Sequence, residues 1–324
     1  MRSDARVLQA LLRTNFIAFV EKVFATLAPG QTFVPAWYIE ALAYQLERVR
    51  RGEIRRLIIN LPPRSLKSIV ISVALPAFLL GLDPKRRIIC VSYSADLAKK
   101  HSNDFRVIVE SPWYRDAFPE TRIAYKNSET EIEFTQRGFR LATSVGGTLT
   151  GRGGDLIIVD DPLKPDDAFS DLKRSEVNHF FTNTLLSRLD DKRTGTIVVV
   201  MQRLHVDDLT GFLLSSSDEW EVLSLPAIAE IDERIRLLGG RIHLRRAGEA
   251  LSSEREPLEV LNNLKRVMGG DAFSAQYQQA PVPPGGAMVK RVWIKRYTEL
   301  PPASERLRIL QSWDTASVGG SQND

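Results

Sequence analysis

The 324-residue sequence is 43% hydrophobic and 26% charged with a formal net charge of +4, the balance of an ordinary soluble globular protein with room for one large domain and a smaller appendage. A mild basic excess permits an acidic partner without demanding one. One cysteine, Cys90, excludes an intrachain disulfide and fits a reducing cytoplasm. The scattered His101, His179, His205 and His243 offer no pair at zinc-ligand spacing, so any metal is expected on carboxylates.

From Val7 to Leu27, apolar residues recur at helical spacing until Pro29-Gly30, which predicts one packing helix. The acidic residues Asp4 and Glu21 argue against a targeting peptide. Phe33 to Tyr38 is followed by a helix to about Arg51, with Leu42, Gln45, Leu46 and Val49 along one stripe. Next comes Leu57-Ile-Ile-Asn-Leu-Pro-Pro-Arg-Ser-Leu-Lys67-Ser68, a short strand and a turn that feed an apolar helix. Such a turn aims backbone N–H groups, a Lys ammonium and a Ser hydroxyl at one point, which suits a triphosphate and its Mg²⁺. The pattern lacks the usual glycines, whose places fall at Leu61 and Leu66. The apolar stretch Ile69 to Leu82 is interrupted by Ser72 and Pro76 and is too short to span a bilayer, so no membrane is expected.

Ile88 to Tyr93 reads as a strand, Ser94 as the cap of a helix with Leu97, His101, Phe105 and Ile108 on one face, and residues 131–134 with 139–143 as a hairpin. A glycine-rich loop, Ser144 to Gly154, carries the single cation Arg152. Leu156-Ile-Ile-Val-Asp160-Asp161-Pro162 is an apolar strand ending in two carboxylates, the requirement for a Mg²⁺ ligand and a base at a strand's C-terminal edge.

These residues carry a family resemblance. Pro62-Pro63-Arg64 before Lys67-Ser68, Gly151-Arg152-Gly153, and Asp160-Asp161-Pro162 resemble the large terminase subunit of tailed bacteriophages. The resemblance implies an α/β fold of the P-loop NTPase (ASCE-type) class, a parallel sheet covered by helices on both faces with a small lid subdomain. It implies an ATP-hydrolysing motor that moves double-stranded DNA into a procapsid. Arg64, Ser65, Leu66, Lys67 and Ser68 would hold the phosphates, Ser68 and Asp160 the Mg²⁺, and Asp161 would be the base where most relatives carry Glu. Upstream, Trp37, Tyr38 and Gln45 are candidates for the adenine. Arg64 and Arg152 are spare cations for catalysis, from within or from a neighbouring subunit. The implied partners are a portal protein, the small terminase subunit and further copies in a ring, in a bacterial host's cytoplasm as a phage or prophage protein.

Downstream, Asp171 to Leu189 is predicted helical and Thr196 to Met201 a strand. The run Gln202 to Gly211 resembles the family's coupling motif, with Gln202 sensing the γ-phosphate; Asp207-Asp208 also suits a helix cap. From Pro226 the composition changes, and residues 226–280 are expected as a lid with a helix over Ala229 to Leu238, a Gly239-Gly240 break and a solvated basic run through Arg241, His243, Arg245 and Arg246. Residues 1–225 would then form the ATPase domain and 281–306 a linker. In residues 307–324, Trp313-Asp314-Thr315-Ala316 resembles the first metal-binding strand of the family's RNase H-like nuclease, with Asp314 as ligand and catalytic residue; only Asp324 follows as a further acid, so no DNA cutting is expected of this segment. Two other readings are a helicase, for which too few residues follow the sheet, and a non-catalytic DNA-binding or structural module, suggested by the missing glycines.

Overall fold

Short runs of β-branched and apolar residues form the middle of the molecule because each is buried on both faces, as parallel strands require. The computed structural model describes residues 2–124, 128–149, 151–217 and 219–283. Helices α1 (Arg2–Thr14), α2 (Phe16–Leu27) and α3 (Trp37–Arg50) precede strand β1 (Arg56–Asn60). The single helix expected over Val7 to Leu27 is two: the side chain of Asn15 caps α2 by accepting the N–H of Ala18, which breaks the chain direction there.

After β1, a π-helical run Ile69–Ala74 leads into α4 (Leu75–Leu82), then β2 (Arg87–Ser92), α5 (Ala95–Glu110) and α6 (Pro112–Ala117). The hairpin β3 (Glu131–Glu133) and β4 (Phe139–Ser144) and the acidic strand β5 (Leu156–Asp160) follow. The predicted helix from Asp171 ends early. It is α-helical only as α7 (Asp171–Phe180), then loosens through a π turn and tightens through a 3-10 turn to Arg188. The chain continues with β6 (Thr196–Met201), α8 (Leu209–Ser216) and β7 (Glu221–Ser224).

The seven strands run in the order β3-β4-β2-β5-β6-β1-β7, every pair parallel except β3-β4. Alternate residues of each central strand serve opposite layers. Leu57, Ile59, Ile158 and Val198 join the core under α2 to α6, while Ile58, Ile157, Val159 and Val199 join the core under α7 and α8. Among the described residues, no helix is long and apolar enough to cross a membrane.

Residues 226–283 differ from expectation. Ala229 to Leu238 is not a helix; β8 (Glu233–Arg236) pairs antiparallel with β9 (Ile242–Arg245). The stretch Glu-Arg-Ile-Arg-Leu has period two, so Ile235 and Leu237 reach the main core, and Gly239 and Gly240 make the turn at φ 72° and 77°. The basic run is a solvated face at Arg241 and Arg246, which are exposed, but not at Arg245. Arg245 is 1% exposed and donates to the carbonyls of Pro226 and Glu249, Arg241 pairs with Glu40, and Arg246 pairs with Asp232. Helices α9 (Leu258–Met268) and α10 (Gly270–Gln276) close a small core of Ala227, Leu261, Phe273 and Tyr277. The chain divides into Met1–Pro284 and Gly285–Asp324, and the second unit lies outside the described residues.

Candidate active site

The strand order brings three chain segments to one place. Strand β6 lies between β1 and β5, and the pairings Asn60 with Met201 and Asp160 with Val200 end the three strands at the same edge. Beyond that edge stand Lys67 and Ser68 after β1, Asp160 and Asp161 at the end of β5, and Gln202 after β6.

The turn after β1 is strained and tied down. Arg64 and Leu66 adopt φ 61° and 60°, left-handed values that cost a residue with a side chain about 1–3 kcal/mol. The hydroxyl of Ser65 donates to the carbonyl of Pro62 at 2.8 Å, and Leu66 packs against the main core, so its side chain anchors the position where a glycine would be unstrained. Arg64 is exposed, and its carbonyl accepts from Arg255 at 2.6 Å.

Lys67 is buried, with its Nζ 3.1 Å from Asp161 Oδ2. Ser68 Oγ donates to Asp160 Oδ1 at 3.2 Å, and Ser72 Oγ to Asp160 Oδ2 at 2.6 Å. Asp161 is held at φ 43° by a bond from its own N–H to the carbonyl of Val200 and another from Tyr93 N–H to its carbonyl, while Gln202 N–H donates to Asp161 Oδ1 at 3.2 Å. Gln202 is 9% exposed, and its side-chain Oε1 is buried without a partner.

Burial raises the pKa of both carboxyls; hydrogen bonds from Ser72 and Ser68 and the charges of Lys67 and Arg140 oppose this at Asp160, and Lys67 does so at Asp161. Beneath them, His101 Nδ1 lies 3.6 Å from Asp160 Oδ2, and burial, aided by Arg140, pulls the imidazole down to about 4, so it is neutral at pH 7. Arg140 is fully buried, lies over the ring of Phe105 and donates to the carbonyl of Ser72 at 3.1 Å. Burial also pushes the Cys90 thiol up, as expected of an inert core cysteine.

Sequence reasoning missed Ser72, His101 as an Asp160 neighbour, and Arg140. Ser72 follows Ser68 by one helical turn, a spacing that places both on one face; a charge at a strand position buried on both sides was the visible signal at Arg140.

The donor set fits Mg²⁺. Ser68 Oγ and Asp160 Oδ1 converge, one hydroxyl and one carboxylate, the hard oxygen donors that this ion prefers. Among the described residues, no three His, Cys, Asp or Glu side chains form a metal cage.

Trp37 stacks on His243 at a centroid distance of 4.3 Å and lies over Arg245. With Val34, His243, Leu251 and Ser252 it lines a cavity of about 320 Å³. Arg255, which donates to the Arg64 carbonyl, directly follows Glu254 of the cavity lining. Gln45 does not join it. It lies about two turns further along α3 and accepts from Arg48 at 2.9 Å.

Arg152 is also elsewhere. It precedes β5, stands 5.9 Å over Phe139 and pairs with Glu131 at 2.8 Å. A five-residue strand, about 16 Å, separates it from Asp160, beyond the reach of an Arg side chain. Asp314 lies outside the described residues.

No family profile matches the chain, and no curated protein matches it. Among solved structures, the large terminase of bacteriophage HK97 superposes with a TM-score of 0.50 at 14% identity, over 82% of this chain and 54% of that one. The large-terminase ATPase domain of Thermus phage P74-26 gives 0.51 at 14% identity over 81% of this chain and 98% of that domain, and a point mutant of it 0.53. The chain has the terminase ATPase fold. It spans about half the length of the HK97 large terminase and nearly all of the isolated P74-26 ATPase domain. Strand β6 lies between the strand that precedes the loop and the acidic strand.

Proposed function

We propose that this protein is the ATP-hydrolysing motor of a phage DNA-packaging machine. The observation that carries the reading is the convergence of Lys67, Ser68, Asp160 and Asp161 at one sheet edge of a terminase ATPase fold. Lys67 would leave Asp161 to meet the β- and γ-phosphates, whose charge it neutralises. Ser68 and Asp160 would hold Mg²⁺, which would supply positive charge against the charge that develops on the phosphates. Asp161, released from Lys67, orients water in line with the γ-phosphorus and accepts its proton. The buried, unpartnered Oε1 of Gln202 supplies a second acceptor for the same water. The energy released is used to move double-stranded DNA, with a portal protein, the small terminase subunit and further copies of the chain in a ring as partners in the host cytoplasm. An endonuclease with Asp314 as ligand belongs to the same proposal for the whole protein.

Titrating a fluorescent ATP analogue with and without Mg²⁺, alongside phosphate release, tests it. Saturable binding tightened by Mg²⁺ and slow turnover are expected; a folded protein that binds no nucleotide at millimolar concentration overturns the reading in favour of a non-catalytic module.

The cavity beside Trp37 is the proposed base site. Trp37→Ala removes an aromatic wall worth about 1 kcal/mol, so KM for ATP is expected to rise about fivefold with kcat unchanged. An unchanged KM would place the base elsewhere.

Arg152 cannot reach the phosphates of its own subunit, which leaves a neighbour's. Arginine fingers contribute about 10³- to 10⁵-fold to turnover. Mixing Arg152→Ala with Lys67→Ala subunits is expected to restore part of the activity; no recovery in a demonstrated mixed ring sinks this role.

A further inference from the structure

The loop after β6 is held from two sides by consecutive peptide N–H groups. Gln202 N–H donates to Asp161 Oδ1 at 3.2 Å, and Arg203 N–H donates to Gln279 Oε1 at 2.9 Å. Those two peptide planes flank the Cα of Gln202, so anchoring both fixes the direction in which Gln202 projects its side chain. One anchor is the acidic strand. The other comes from beyond α10, where Gln279 is 6% exposed and donates its own Nε2 to the carbonyl of Gln276 at 2.6 Å.

Gln279 holds a backbone φ of 56°, a conformation that persists in a residue with a side chain only where the surroundings impose it. Its neighbour Gln278 is committed in the same way, accepting the N–H of Ile228 and donating to its carbonyl, both at 2.9 Å. Two successive glutamines thus fasten this segment, one to Ile228, which bridges to Ala250, and one to the loop after β6. On the loop's far side, Asp208 is fully buried and binds Arg203 Nε as well as the N–H groups of Leu204 and Gly211, which ties the two ends of residues 203–211 together. The Arg203 N–H is the point at which the segment after α10 grips that loop.

We infer that Gln279 is a positioning residue for the hydrolytic site. It holds the peptide after Gln202, and through it both the Gln202 side chain and the N–H that braces Asp161. The inference rests on Asp161 and Gln202 being the water-orienting groups. It gives the segment after α10 a direct handle on them that does not pass through the phosphate loop.

Three variants test it. Gln279→Gly relieves the positive φ while deleting the acceptor, Gln279→Met keeps the side chain's size without the acceptor, and Gln279→Glu keeps the acceptor. With Gly or Met, kcat for ATP is expected to fall about 10- to 100-fold, as for a displaced catalytic group, with KM and ATP-analogue affinity within about twofold of the parent. Glu is expected to retain most of kcat. If Gly fails to fold, Met against Glu makes the same comparison. Parent-like kcat in Gly or Met, or an equal loss in Glu, overturns the inference. Amide hydrogen exchange gives a readout independent of activity. Without the acceptor, protection is expected to drop at both Arg203 and Gln202, whereas loss at Arg203 alone shows that Gln279 does not reach the Asp161 brace. A parent that exchanges as expected yet hydrolyses no ATP would count against the proposed function rather than against this link.

Discussion

Asp161→Asn is expected to lower ATP turnover by about 10²- to 10⁴-fold while nucleotide binding persists or tightens. Asn is isosteric and tolerates the left-handed φ of 43° better than most residues, so the backbone that supports Tyr93 and Val200 stays in place. What changes is chemical. An amide does not accept the proton of an attacking water, and it no longer holds Lys67 Nζ, which lies 3.1 Å from Oδ2 in the parent. The freed ammonium then serves the phosphates without competition, hence the expected gain in affinity. Single-turnover kinetics with a parallel binding titration separate the two effects. Turnover at the parent's rate would show that another group is the base.

Asp208→Ala carries the largest expected stability change, about 3–5 kcal/mol. The carboxylate is 0% exposed, lies 3.0 and 2.9 Å from Arg203 Nε and accepts from Leu204 N–H and from Gly211 N–H, which caps α8. Alanine leaves a largely buried guanidinium without its countercharge, and the N–H groups with no acceptor and no water. Asp208→Asn keeps the size and part of the capping, so about half the loss is expected. Urea midpoints at constant m-value measure both; a loss below about 1 kcal/mol for alanine would mean that solvent or Glu/Asp neighbours replace the carboxylate. The sequence leaves Asp207 and Asp208 equally open to a capping and a coupling role. Asp208 does the first, and its pair with Arg203 also ties the two ends of residues 203–211 together.

Local pattern determined much of this protein. The continuous apolar runs ending at Ser92, Asp160 and Met201, alternating with helical patterns, read as buried parallel strands, and they lie within about a residue of where the sequence places them. The pairing of Lys67-Ser68 with Asp160-Asp161 was legible for the same reason, since each motif sits at the end of such a strand. Side-chain partners across the fold were not. Whether Arg152 faces the phosphates depends on which end of β5 it occupies relative to the loop after β1, and that follows from strand order rather than from the glycines around it. Gln45 shares a helix with Trp37 but not its surroundings, because about two turns of α3 carry it to Arg48 instead. The helix expected over Ala229 to Leu238 lost to a hairpin because a period of two was hidden among charges, with Ile235 and Leu237 as its only apolar teeth. Helices and strands are written in the spacing of neighbours. The placement of Arg140, Ser72 and His101 beneath Asp160, and of Gln279 against Arg203, was decided only by tertiary packing, which joins residues that the chain keeps far apart.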